Sequence, residues 1–154
     1  MAEPVEIVPY RARFREGFAG VVATVLAELG FAVDPVLDAD LAQPEAHYGG
    51  IWLALADGQV VGSVAVRRSA PGAAELKRMY LLPAFRGMGL GRRLLGLAVA
   101  WAREQECSRL HLDTGSDMAA AQGFYESYGF VRTGSRTEVG GNEQRCEVLY
   151  ELAI

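Results

Sequence analysis

Arg86-Gly87-Met88-Gly89-Leu90-Gly91 decides how this chain is read. It follows a strand-like run, Ala74 to Leu82, and opens a helix-like one, Leu90 to Gln105. Three glycines at alternate positions strip side chains from one tight turn. The first-turn N–H groups of a helix lack intrahelical partners and sit at the positive end of the dipole, so a bare turn leading into them suits an anion, phosphate above all. A dinucleotide fingerprint, G-x-G-x-x-G, fails: its third glycine would fall on Arg92 or Leu94. A P-loop fails as well, because no Lys-Ser/Thr pair follows the glycines. On the hexapeptide alone, a strand-to-helix turn without a ligand stays open.

Outward from the turn, the pattern is that of an α/β domain. Glu6 to Pro9 predicts a first strand. Arg13 to Leu29 predicts a helix, with Phe14, Phe18, Val21, Val22, Val25, Leu26 and Leu29 at helical spacing and Gly30 as its stop. Asp34 to Tyr48, with two prolines, predicts a short helix among loops. Ile51 to Ala56 and Val60 to Arg68 flank Asp57-Gly58, a hairpin signal. Ala74 to Leu82 continues that meander until Pro83, which lacks an N–H. Leu90, Leu94, Leu97, Ala98 and Trp101 form the expected apolar stripe of the next helix. Leu110 and Leu112 alternate with His111 and Asp113 as a half-buried strand would. Ala119 to Tyr128 predicts a helix stopped by Gly129, and 130–133 with 146–152 a final hairpin around Gly140-Gly141-Asn142.

Arg86 to Gly91 reads R-x-x-G-x-G, which resembles the acyl-CoA pyrophosphate motif of the GNAT acetyltransferases. The resemblance extends in order and spacing through Glu75 to Pro83, Leu110 to Thr114 and Ala119 to Phe130. It implies one domain over residues 1–154. The implied fold is a mixed, mostly antiparallel sheet of about seven strands, splayed in the middle and flanked by about four helices. It further implies acetyl-CoA as co-substrate and an amine acceptor, small molecule or peptide. A non-catalytic acyl-CoA-binding regulatory module is the competing reading.

The resemblance assigns roles by position. Arg86, Gly87, Met88, Gly89, Leu90, Gly91 and Arg92 hold the pyrophosphate. The backbone of Met79, Tyr80 and Leu81 pairs with the pantetheine arm like an added strand, one N–H near Leu81 reaching the thioester oxygen. Tyr125 sits where relatives protonate the leaving thiolate; from pattern alone, core packing with Met118, Ala121 and Tyr128 is as good a reading. Glu75, eleven positions before Arg86, matches the base glutamate of the histone-acetyltransferase branch; a strand glutamate paired with Lys77 or Arg78 is the plain alternative. A base is useful because an amine of pKa ~10.4 is only about one part in 10³ neutral at pH 7. Two positions depart from the family: Met118 stands for Asn or Gln, and Ser127 for Lys or Arg.

Composition agrees with one globular domain: 154 residues, 51% hydrophobic, 22% charged. No apolar run reaches the ~18 residues of a membrane helix. The start, Met1-Ala2-Glu3-Pro4, lacks a signal-peptide pattern, and Cys107 and Cys146 make no disulfide framework, so a cytoplasmic setting is expected. With His47 and His111 the only histidines and no CxxC, no metal site is expected. Charge is segregated. Gly17 to Val66 holds six acids and no Lys or Arg, whereas Arg67 to Arg109 holds nine basic residues against three acids. The basic half surrounds the phosphate turn, and the acidic half is expected to favour a cationic acceptor. Net charge of −4 argues against nucleic acid. Many relatives dimerise, which leaves a homodimer open.

Overall fold

The computed structural model describes residues 4–116, 118–140 and 143–154. Seven strands form one sheet: β1 (Val5–Pro9), β2 (Gly50–Ala56), β3 (Gln59–Ala70), β4 (Ala73–Leu81), β5 (Arg109–Gly115), β6 (Val131–Gly140) and β7 (Glu143–Ala153). Four helices flank it: α1 (Arg15–Glu28), α2 (Pro44–His47), α3 (Leu90–Glu104) and α4 (Ala119–Tyr128). The expected first helix begins two residues late, behind a 3₁₀ turn at Ala12–Phe14. The second is only α2, preceded by a 3₁₀ turn at Ala39–Leu41. The Asp57-Gly58 turn forms as read, both residues with positive φ (50° and 75°). The final hairpin is longer than expected because its polar stretch at 134–137 gave no alternating apolar signal. Of the expected loop, Gly140 ends β6, and Gly141 and Asn142 lie outside the described residues.

The strand order is β1-β2-β3-β4-β5-β7-β6. Every neighbouring pair is antiparallel except β4 and β5. Their parallel ladder covers three residue pairs, Ala73 with Arg109, Ala74 with Leu110 and Glu75 with His111. Beyond Glu75 the two strands part, so the expected splay is present and sits in the middle of the sheet.

α3 fills one face. Leu94, Leu95, Ala98, Val99 and Ala102 are buried against Val64, Val66 and Leu76 on one side and Leu110, Leu112, Val148 and Tyr150 on the other. The buried stripe is turned slightly from the expected one, leaving Leu97 exposed. α1 covers the other face of β2 to β4 through Phe18 and Val22, packed with Leu53, Leu55 and Ala65. No helix among the described residues is long and apolar enough to cross a membrane.

Candidate active site

The parting of β4 and β5 opens a cleft of about 640 Å³. β4 contributes Leu76 to Tyr80, β5 Leu112 to Gly115, α4 Met118, Ala121 and Tyr125, β7 Glu147, and α1 with its following turn Leu26, Leu29 and Phe31. β4 is irregular where it borders the cleft. Ser63 pairs with Tyr80 but Ala65 with Lys77, so β4 bulges there. Arg78 takes the extra turn with φ of 52°, and Ser63 Oγ donates to its carbonyl at 2.7 Å. The bulge turns Met79 and Leu81 toward the α3 core and Tyr80 toward the α1 core.

The glycine turn closes one end of this region. Gly87 and Gly89 adopt φ of 79° and 85°, and Gly89 precedes the first residue of α3. No side chain caps that helix and its first turn holds no acid, so its leading N–H groups face outward without a protein carboxylate among them. Gly91 has a different reason: a Cβ there would stand 3.3 Å from the Phe124 ring, so it lets α3 lie close to α4. We expect Gly89→Ala to lower stability by about 1–2 kcal/mol, because an L-side chain disfavours this backbone. Coenzyme A affinity should weaken with it, read by calorimetry.

Arg92 stacks over Tyr128, its guanidinium carbon 5.0 Å from the ring centroid. Arg86 turns away from the glycines. Its Nε donates to the Leu81 carbonyl at 2.9 Å, and its Nη1 and Nη2 donate to Glu28 of α1 at 3.0 and 2.7 Å. Of the two departures from the family pattern, Ser127 donates to the Phe124 carbonyl of its own helix, and Met118 lines the cleft beside Thr114.

Tyr125 is 7% exposed and lies in the cleft wall. Its ring meets Phe124, Phe130 and Tyr150 with centroids 5.3, 5.5 and 6.4 Å away. It is packed among aromatic rings and also borders the cleft. Burial, with a smaller push from Tyr80, raises its pKa well above the usual phenol value, so it keeps its proton at neutral pH.

Glu75 lies elsewhere. It sits where β4 and β5 still pair, and Arg67 binds its Oε1 through Nη2 at 2.7 Å and Nε at 2.9 Å. It lines a second hollow, of about 410 Å³, with Ser69, His111 and Glu151, and is not among the residues around Tyr125. His111 Nε2 lies 2.6 Å from Ser69 Oγ, a local contact at the same end.

The carboxylates that do border the cleft are Asp113 and Glu147. Arg136 bridges them, Nη2 donating to Asp113 Oδ2 and, at 3.0 Å, to Glu147 Oε2. Burial would raise the Asp113 pKa. The hydrogen bond with Glu147 and the charges of Arg136 and Lys77 overcome that and hold it below the usual carboxylate range. In the strand pattern Asp113 reads only as one of the polar residues alternating with Leu110 and Leu112. The available signal was position: Asp113 shares a strand face with His111 but lies two residues further on, past the point of divergence.

Three of the six acids of the acidic half, Glu28, Asp38 and Asp40, are bound by arginine. Asp38 and Asp40 bind Arg78 (Nη2 to Asp38 Oδ1 2.9 Å, Nη2 to Asp40 Oδ1 2.7 Å, Nε to Asp40 Oδ2 2.9 Å), and Tyr48 donates to Asp40 Oδ2 at 2.7 Å. Glu28 is bound by Arg86. Charges that look segregated along the chain meet in the fold as ion pairs.

The model of the family described as "Acetyltransferase (GNAT) family" matches residues 22–130. The chain is 35% identical over 123 residues to YjgM, an uncharacterised N-acetyltransferase of Escherichia coli (strain K12), covering 73% of each protein. An acetyltransferase of Streptococcus agalactiae superposes with a TM-score of 0.83 at 24% identity, over 97% of this chain and 98% of that one. A Salmonella typhimurium acetyltransferase, yncA, solved with acetyl-CoA, gives 0.77 at 22% identity, over 97% of this chain and 93% of that one.

Proposed function

The chain belongs to the GNAT acetyltransferase family and is an acetyl-CoA-dependent N-acetyltransferase; on that premise we propose which residues carry the transfer. Gly87 to Gly91, the α3 N-terminus and Arg92 would hold the pyrophosphate, and the backbone of Met79, Tyr80 and Leu81 the pantetheine arm. Bound acetyl-CoA supplies an activated acyl thioester, so no covalent nucleophile from the protein is needed, and buried Cys107 stays out of the chemistry. The Asp113–Glu147 pair would hold the acceptor's nitrogen and take its proton as the new C–N bond forms, when that nitrogen has become far more acidic than a free ammonium. Tyr125, kept protonated by burial, gives one to the departing thiolate. The observation that carries this reading is the shared cleft: a protonated phenol and a charged carboxylate pair border one opening at the splay. A free, buried Cys107 also suits a reducing, cytoplasmic setting.

The base is tested by comparing two variants in a thiol-release assay across pH. Asp113→Asn should lower kcat by about 10²-fold or more, with the loss greatest at low pH, where the acceptor is most protonated. Glu75→Gln should keep a wild-type pH profile, because Glu75 is engaged by Arg67 outside the cleft. The opposite pattern would return the base to Glu75.

A further inference from the structure

Part of the cleft lining is apolar: Leu26 of α1, Leu29 just past the helix end, and Phe31 beyond the left-handed Gly30. Of the seven large hydrophobic residues exposed among the described residues, four lie within nine positions of the chain: Leu29, Val33, Val36 and Leu37. Leu29 is the one of these that also lines the cleft.

The segment that displays them is fixed. Phe31 N–H donates to the Leu26 carbonyl at 2.8 Å, closing the end of α1. Asp34 Oδ1 accepts from the N–H groups of Val36 and Leu37 at 2.8 and 2.9 Å, and Asp38 Oδ2 from that of Asp34 at 2.7 Å. Arg78 then ties Asp38 and Asp40 to the β4 bulge. Asp34 and Asp38 are thus bonded to backbone N–H groups and Glu28, Asp38 and Asp40 to arginine, while Leu26, Leu29 and Phe31 line the cleft.

We propose that the acceptor is a small primary amine with a single positive charge joined to an apolar body, an aryl-alkyl or alkyl monoamine. The ammonium group goes to Asp113 and Glu147, and the apolar body lies against Leu26, Leu29 and Phe31. Polyamines and aminoglycosides fit poorly, since their further charges would meet that apolar wall. This rests on the N-acetyl transfer reading above and narrows it to one acceptor class.

The test is a thiol-release assay with mass spectrometry of the product, at saturating acetyl-CoA. The acceptors are 2-phenylethylamine, hexylamine, spermidine, kanamycin and the peptide Ala-Phe-Ala amide. The expected order places 2-phenylethylamine and hexylamine at least about 10-fold above the others in kcat/KM. Phe31→Ala should raise the KM for 2-phenylethylamine about 10-fold or more, and Phe31→Leu should restore most of it. The KM for acetyl-CoA should not move in either variant, which separates a lost acceptor contact from a damaged fold. Preferential turnover of spermidine, kanamycin or the peptide would overturn the proposal and leave N-acetyl transfer standing. No acetylated product from any of the five would overturn the transfer reading together with it.

Discussion

Tyr125→Phe lowers kcat by about 10²–10⁴-fold, the range for losing a positioned proton donor, while the melting temperature and the KM for acetyl-CoA stay near wild type. The ring's contacts with Phe124, Phe130 and Tyr150 are edge and tilted packing that phenylalanine reproduces. Only the hydroxyl is deleted. Its raised pKa makes it a weaker acid than a free tyrosine, which at first sight works against protonating a thiolate of solution pKa ~8.5. The same burial acts on the thiolate, however, and raises its pKa too, so the gap between donor and acceptor narrows in the cleft. What burial secures is that the donor is loaded: the phenol stays protonated well into the alkaline range. Wild-type kcat should therefore show no loss from tyrosine ionisation up to pH 10. Unchanged turnover in Tyr125→Phe would remove Tyr125 from the chemistry and leave it a core residue.

Arg78→Met is expected to be the most destabilising single change, by about 3–5 kcal/mol. For a domain of this size that is a fall of roughly 6–20 °C in melting temperature, read by calorimetry or circular dichroism. Arg78, Asp38 and Asp40 have side chains only 10%, 11% and 10% exposed. Methionine would leave two nearly buried carboxylates without their cation. It would not relieve the backbone, since φ of 52° is uncomfortable for any residue with a Cβ. That an arginine occupies this position shows how much its three side-chain bonds outweigh the local strain. Adding Asp38→Asn and Asp40→Asn to Arg78→Met should recover part of the loss, because the uncompensated charges are what cost most.

The same cluster predicts a pH dependence. Burial would raise the Asp40 pKa, but hydrogen bonds from Arg78 and Tyr48 and the Arg78 charge win, and the folded value is depressed. A depressed carboxylate stabilises the fold above its unfolded pKa of ~3.9 and loses that contribution as pH falls through the lower folded value. Wild type should lose this contribution in acid, whereas in Arg78→Met the uncompensated carboxylates cost less once protonated, so the stability gap between the two should narrow as pH falls.

The features legible in the sequence are the local ones. Asp57-Gly58 forms its hairpin turn, Gly87 and Gly89 take the left-handed backbone, and α4 spans Ala119 to Tyr128, since each depends on residues a few positions apart. Arg78 was invisible for the opposite reason. In a strand pattern it reads as one more solvated residue, whereas its bulge depends on Ser63 and its partners lie 38 and 40 positions away. Charge segregation was real along the chain but did not survive folding as a surface property. Arg78 reaches back to Asp38 and Asp40, and Arg86 to Glu28, across 58 positions. The Asp113–Glu147 pair likewise needs β7 to lie beside β5, which no local pattern announces. Glu75 had the right spacing from the glycine turn, yet spacing along a strand does not say which side of the divergence a residue occupies.

The three-pair ladder between β4 and β5 has a mechanical consequence. Ala73, Ala74 and Glu75 join strands whose partners lie 36 positions further along, at Arg109, Leu110 and His111. So short a seam resists bending weakly, and the angle between the two arms of the sheet is set instead by the helix wedged across both. α3 rests on Val64, Val66 and Leu76 of one arm and on Leu110, Leu112 and Val148 of the other, with close-packed contacts that do not deform gradually. It is therefore a hinge pin, and its outer end is the glycine turn. The helix that carries the glycine turn is thus also the one that sets how far the two arms stand apart.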